Sequence, residues 1–119
     1  MIYEATVITG KGRGKVLGFP TLNLAIPANF EAREGIYVCN ILIGKTTYKG
    51  ALHWGPIPVF NDSKKSLEIF VLDWDGAEKL EQVSFELLKY LRQVQNFGSI
   101  YDLSAQIAQD VQKIRASSA

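Results

Sequence analysis

The chain has 119 residues, enough for one domain over 1–119 and too few for a second catalytic module. Hydrophobic residues make up 47% and charged residues 21%, a balance that supports a buried core and excludes a disordered chain. The formal net charge of +1 supplies no broad field for nucleic acid or an anionic membrane, so any phosphate chemistry has to depend on a local cluster of donors.

The N-terminus, Met1-Ile2-Tyr3-Glu4, has no basic stretch followed by an apolar run, and no apolar segment approaches the ~20 residues that span a bilayer. A cytoplasmic location is the expectation. The first predicted strand covers Tyr3–Thr9 and runs into Gly10-Lys11-Gly12-Arg13-Gly14-Lys15, where glycines alternate with cations. Glycines let backbone N–H groups approach an anion, and Arg13 or Lys15 can neutralise charge that builds up on phosphoryl transfer. A solvated basic hairpin has the same composition, and no Gly-Lys-Ser/Thr opens a helix here, so the segment is not a P-loop.

Gly18-Phe19-Pro20-Thr21-Leu22-Asn23-Leu24 follows and leads into a second strand, expected at Leu22–Ile26. Pro20 fixes the backbone before Thr21, and Thr21 and Asn23, two residues apart, project from one face of an extended chain. A hydroxyl and an amide carbonyl are hard oxygen ligands of the kind Mg²⁺ accepts alongside water and nucleotide phosphates. A turn and a strand with two ordinary polar groups is the alternative reading.

The third and fourth predicted strands, Gly35–Ile43 and Thr47–Trp54, are joined by the compact hairpin connection Gly44-Lys45-Thr46. Cys39 is the only cysteine and lies in the apolar run from Ile36 to Ile43, which excludes an intramolecular disulfide and a multi-cysteine zinc site and suits a buried structural thiol. His53 is the only histidine and has no neighbouring Ser, Cys or Asp in a triad-like arrangement, so a structural or pocket-lining role is expected. Trp54 and Trp74 offer flat faces for a flavin or adenine, although core packing is the commoner fate of tryptophan.

The polar segment Asn61-Asp62-Ser63-Lys64-Lys65 reads as a loop before a fifth strand at Ser66–Trp74. Alternation there puts Leu67, Ile69 and Val71 on one face and Glu68, Phe70 and Leu72 on the other. A carboxylate among apolar neighbours needs a partner or a task if it is buried, and as a base it could accept a hydroxyl proton during phosphoryl transfer. An exposed strand glutamate is the alternative.

A sixth strand is expected at Gln82–Leu91, after which the period changes. Leu103, Ile107, Val111 and Ile114 recur at spacings of one helical face, and Ser99 with Asp102 three residues later resembles an N-terminal cap. Six short strands separated by turn-forming residues point to a closed antiparallel barrel whose open end the helix closes. The last residues, from Ala116, are expected to fray.

Together these segments resemble the riboflavin kinase family. Gly10 through Lys15 followed by Leu17-Gly18-Phe19-Pro20-Thr21-Leu22-Asn23-Leu24 is similar to that family's phosphate loop and Pro-Thr-Ala-Asn motif. Glu34-Gly35-Ile36-Tyr37, Lys65-Ser66-Leu67-Glu68, Leu91-Arg92 with Phe97, and Leu103 through Gln106-Ile107 and Asp110 extend the likeness over nearly the whole chain. The resemblance implies a mainly β fold, a six-stranded antiparallel Greek-key barrel with a C-terminal α-helix. It implies Mg-dependent transfer of the ATP γ-phosphate to riboflavin, by a monomer that takes small molecules and neither nucleic acid nor membrane.

By position, the resemblance implies that Gly10 and Lys15 contact nucleotide phosphates, that Thr21 and Asn23 hold Mg²⁺ and phosphates, and that Glu68 is the base. Val71 and Asp73 would lie near the adenosine, and Arg92, Gln95 and Phe97 would border the flavin. The chain departs from the family pattern at His53 and Val59, where an asparagine and a threonine are usual. It departs again at Lys79 and Leu80, in place of a Leu-Tyr-Gly turn, and at Val94, in place of a glutamate. Two other functions remain open on sequence: a non-catalytic flavin- or nucleotide-binding module descended from the kinase, and a small nucleic-acid-binding barrel supported only by Lys11, Arg13 and Lys15.

Overall fold

The computed structural model describes residues 1–8, 20–57, 62–95 and 98–117. In chain order the elements among the described residues are β1 (Ile2–Ile8), β2 (Thr21–Leu24), β3 (Gly35–Ile43), β4 (Thr46–Ile57), β5 (Asp62–Val71), β6 (Gln82–Arg92) and the helix α1 (Ile100–Ala116). The strands close into a barrel in the order β1-β2-β5-β4-β3-β6, every pair antiparallel. Strands β3, β4 and β5 are consecutive neighbours, and β6 returns to lie beside β3, which is the Greek-key arrangement.

Strand boundaries moved where a backbone conformation overrides side-chain preference. The β3–β4 hairpin is tighter than expected: Ile43 pairs with Thr46, leaving the two-residue loop Gly44-Lys45, with Gly44 at φ 62 as a type II′ turn requires at its first position. Strand β4 continues through Gly55 and Pro56, where a register shift against β5 absorbs a residue that cannot donate to the ladder. Strand β5 begins at Asp62, inside the segment read as a loop, and stops at Val71 because Asp73 takes φ 64.

Alternation builds two apolar clusters, one on each side of the barrel wall. Leu22, Leu24, Tyr37, Cys39, Ile41, Leu52, Trp54, Leu67, Ile69, Val71 and Phe85 point inward. The ring of Phe30, from the β2–β3 connection, inserts among Tyr3, Trp54 and Phe85 at centroid distances of 5.0, 5.2 and 6.1 Å. That connection is fastened by Trp54 Nε1, which donates to the Ala32 carbonyl at 3.0 Å, and by the Tyr37 hydroxyl, which donates to the Arg33 carbonyl at 2.6 Å.

Val38, Ala51, Phe70 and Leu72 point outward, and α1 covers them with Leu103, Ile107, Val111 and Ile114. The helix therefore lies on the barrel's wall and does not close its end. Its apolar stripe follows the outward residues of β3, β4 and β5, which would otherwise face water. Two extra residues in β6, Leu88 and Leu91, interrupt its register with β3 and turn to the helix side. Ser99 Oγ accepts from the Asp102 N–H at 3.2 Å and caps the helix as its sequence suggested. At the other end Lys49 Nζ donates to the Ser117 carbonyl at 3.3 Å. No helix among the described residues is long and apolar enough to cross a membrane.

Candidate functional site

Residues directly opposite one another in an antiparallel ladder share a face of the sheet. Asn23 on β2 stands opposite Glu68 on β5, Glu68 opposite His53 on β4, His53 opposite Ile36 on β3, and Ile36 opposite Arg92 on β6. Because Leu52 and Trp54 point inward, His53 and its whole row lie on the outer wall. Thr21, opposite Phe70, occupies the next outward position on β2. The barrel thus brings Thr21, Asn23, Glu68 and Arg92 onto one face from three strands that are far apart in sequence.

Glu68 is 1% exposed, so it is not a surface strand glutamate. His53 is buried beside it, and its Nε2 lies 2.9 Å from the Gly55 carbonyl. A carbonyl can only accept, so this contact places a proton on Nε2 and leaves Nδ1 as the ring's other polar position. Thr21 and Asn23 are half-buried, with a hydroxyl and an amide at the open edge of the row. Pro20 fixes Thr21 from its N-terminal side, and its carbonyl accepts the Val71 N–H at 2.9 Å, tying the end of β5 to the start of β2.

That bond is what Val71 contributes on this side of the wall, since its side chain lies in the barrel interior. Asp73 is exposed and pairs with Arg115 of α1 at 2.9 Å. The Arg115 guanidinium, by its hydrogen bond and then its charge, holds the Asp73 carboxyl below the usual carboxylate range. Arg92 reaches the outer row through the β6 irregularity at Leu91: Tyr90 points inward opposite Tyr37, and strict alternation would turn Arg92 inward as well. Its guanidinium binds Asp110 of α1 in a fork, Nε donating to Oδ1 at 3.1 Å and Nη2 to Oδ2 at 2.8 Å. Gln95, three residues on, is exposed. Gly10, Lys15, Phe97 and Val59 lie outside the described residues.

Asp110 escaped the site reading of the sequence, and His53 was read only as structural or pocket-lining. Asp110 continues the helical spacing of Leu103, Ile107 and Ile114, so it marks a carboxylate at a core-facing position of an otherwise apolar stripe. His53 shares its face with Ala51 by simple alternation, but its neighbour Glu68 is visible only once the β4–β5 register is known. Among the described residues no group of three or more His, Cys, Asp or Glu side chains could hold a metal ion.

A closed six-stranded Greek-key barrel with a C-terminal helix fits the riboflavin kinase fold. The chain belongs to the riboflavin kinase family: the family model described as "Flavokinase: Riboflavin kinase" matches residues 1–118. It is 31% identical over 111 residues to the RNA-binding riboflavin kinase RibR of Bacillus subtilis, covering 92% of this chain and 48% of that protein. It is 30% identical over 108 residues to the trifunctional protein RibF/MnmA of Mycoplasmoides gallisepticum, covering 90% and 16%. With the bifunctional riboflavin kinase/FMN adenylyltransferase of Listeria monocytogenes the identity is 28% over 115 residues, covering 95% and 37%. A solved structure described as a macrolide-efflux protein from Streptococcus pneumoniae shares the fold, with a TM-score of 0.83 at 24% identity over 98% of this chain and 39% of that one. The chain spans less than half the length of each of these proteins.

Proposed function

We propose that this domain transfers the γ-phosphate of ATP to the 5′-hydroxyl of riboflavin, giving FMN and ADP. The observation that carries the reading is the buried carboxylate of Glu68, set directly between Asn23 and His53 on a face that also presents Thr21. Glu68 accepts the proton of the riboflavin hydroxyl as that oxygen bonds to the γ-phosphorus, and the bond to the bridging oxygen breaks to release ADP. A carboxylate suits this task because a buried base next to the reacting hydroxyl needs no solvent to take up the proton.

The Thr21 hydroxyl and Asn23 carboxamide fit a Mg²⁺ ion that arrives with the nucleotide, since both are neutral oxygen donors, half-exposed, on one face of a strand. When bound, Mg²⁺ supplies neutralisation of phosphate charge. Arg92 lies farther round the same outer row, beyond His53 and Ile36. Gly10 and Lys15 would hold phosphates, Asp73 the adenosine side, and Arg92, Gln95 and Phe97 the flavin. With both substrates small cytosolic metabolites, the domain works as a cytoplasmic monomer.

Incubation with riboflavin, ATP and MgCl₂, followed by chromatography of the fluorescent products, is expected to yield FMN, and EDTA is expected to stop it. A folded protein that binds riboflavin yet forms no FMN would instead be a flavin-binding module.

A further inference from the structure

We infer that Asp110 and Gln106 of α1 are positioning residues for the acceptor: they hold the Arg92 guanidinium in the outer row, so that riboflavin affinity depends on a helix carrying none of the chemistry. The inference rests on the proposed kinase reading for the identity of the acceptor. Arg92 reaches the row only because β6 carries an extra residue at Leu91, and bulges of this kind re-aim side chains beside functional sites. Once there it is held at three points. Asp110 takes Nε and Nη2 as above, and Nη1 donates to the Gln93 carbonyl at 3.0 Å. The carboxylate is itself held, for Gln106 Nε2 donates to Asp110 Oδ1 at 3.2 Å.

Docking of the helix does not call for this pair. Leu103, Ile107, Val111 and Ile114 already seat α1 on the wall, and a buried ion pair generally stabilises no better than apolar side chains of similar volume. Asp110 is 1% exposed, so its charge is costly in itself. What the pair supplies is a fixed guanidinium. Arginine side chains are rotamer-rich, and holding one in place before binding removes an ordering cost that the ligand would otherwise bear.

The test measures riboflavin and Mg–ATP affinities separately, by flavin fluorescence and by calorimetry, for the full chain and two variants. Asp110→Asn keeps the shape and removes the charge. Its riboflavin Kd is expected to rise by about two- to twelvefold, the fold-change matching release of one immobilised side chain, while Mg–ATP affinity holds within about twofold. The double variant Arg92→Leu/Asp110→Leu keeps the helix docked through apolar contact, so its melting temperature is expected to stay near wild type while riboflavin affinity falls at least as far.

The inference is overturned if Asp110→Asn binds riboflavin as wild type does, if both ligands lose affinity alike, or if the Leu/Leu variant folds and keeps its riboflavin affinity. Should that variant fail to fold, Asp110→Asn decides alone. Wild-type protein that does not bind riboflavin would overturn the kinase reading itself and this inference with it, and the wild-type titration reports that outcome before any variant is made.

Discussion

Glu68 and Cys39 are both buried in β strands of one barrel, yet opposite faces of the wall give them opposite parts. Glu68 faces outward between Asn23 and His53, and as the proposed base it needs a carboxylate. Glu68→Gln is expected to cut single-turnover FMN formation by roughly 10²–10⁴, nearer the lower figure if the phosphoryl-transfer transition state is loose, with riboflavin and Mg–ATP affinities little changed. Turnover within about threefold of wild type would remove Glu68 from the role. Cys39 faces inward, and burial pushes its thiol up to about 12 from an ordinary 9.0. The folded state therefore keeps a proton that the unfolded chain releases. Stability from this group is complete below pH 9 and declines as pH rises toward 12, by about 1.4 kcal/mol per unit within that window. Urea titrations from pH 8 to 10.5 are expected to show the decline for wild type and a shallower one for Cys39→Ala.

At the scale of the element, α1 separates what a local sequence can specify from what it cannot. The periodicity of Leu103, Ile107, Val111 and Ile114 and the Ser99 cap are local, and both are found in the structure as read. Where the stripe docks is not local: it depends on which β strands turn apolar residues outward, and Val38, Ala51, Phe70 and Leu72 do so only through the closed topology. Packing should outweigh capping. Ile114, fully buried, is expected to cost about 2–5 kcal/mol on replacement by Ala, against about 0.5–2 kcal/mol for Ser99→Ala, both read from urea denaturation midpoints. Equal losses would mean that the helix end, and not its buried face, anchors it. Strand β5 carries the same division, since alternation separates Glu68 from Leu67 and Ile69 correctly, whereas its early start at Asp62 and its end at Val71 reflect pairing with β4 and the left-handed Asp73.

For the whole molecule, the barrel and its strand count were legible because each strand carries its own alternation and turn signals. Of the candidate site, Thr21, Asn23 and Glu68 were singled out by residue type and alternation, and the structure sets all three on the outer wall, Asn23 opposite Glu68. Arg92 was placed by resemblance alone, because the β6 irregularity reverses the side its sequence spacing predicts, and Asp110 acquires its meaning only from that reversal. Closure of the barrel has a further consequence during synthesis. Among the described residues β1 pairs with β2 at Val7 and Ile8, while five of its residues pair with β6, Tyr3 opposite Phe85 among them. A ribosome adding about 5–20 residues per second needs roughly 4–16 s to make the intervening chain. Throughout that interval β1 waits with its main partner not yet made, so the seam that completes the cylinder forms last, and the nascent chain is most open to aggregation just before its sixth strand emerges.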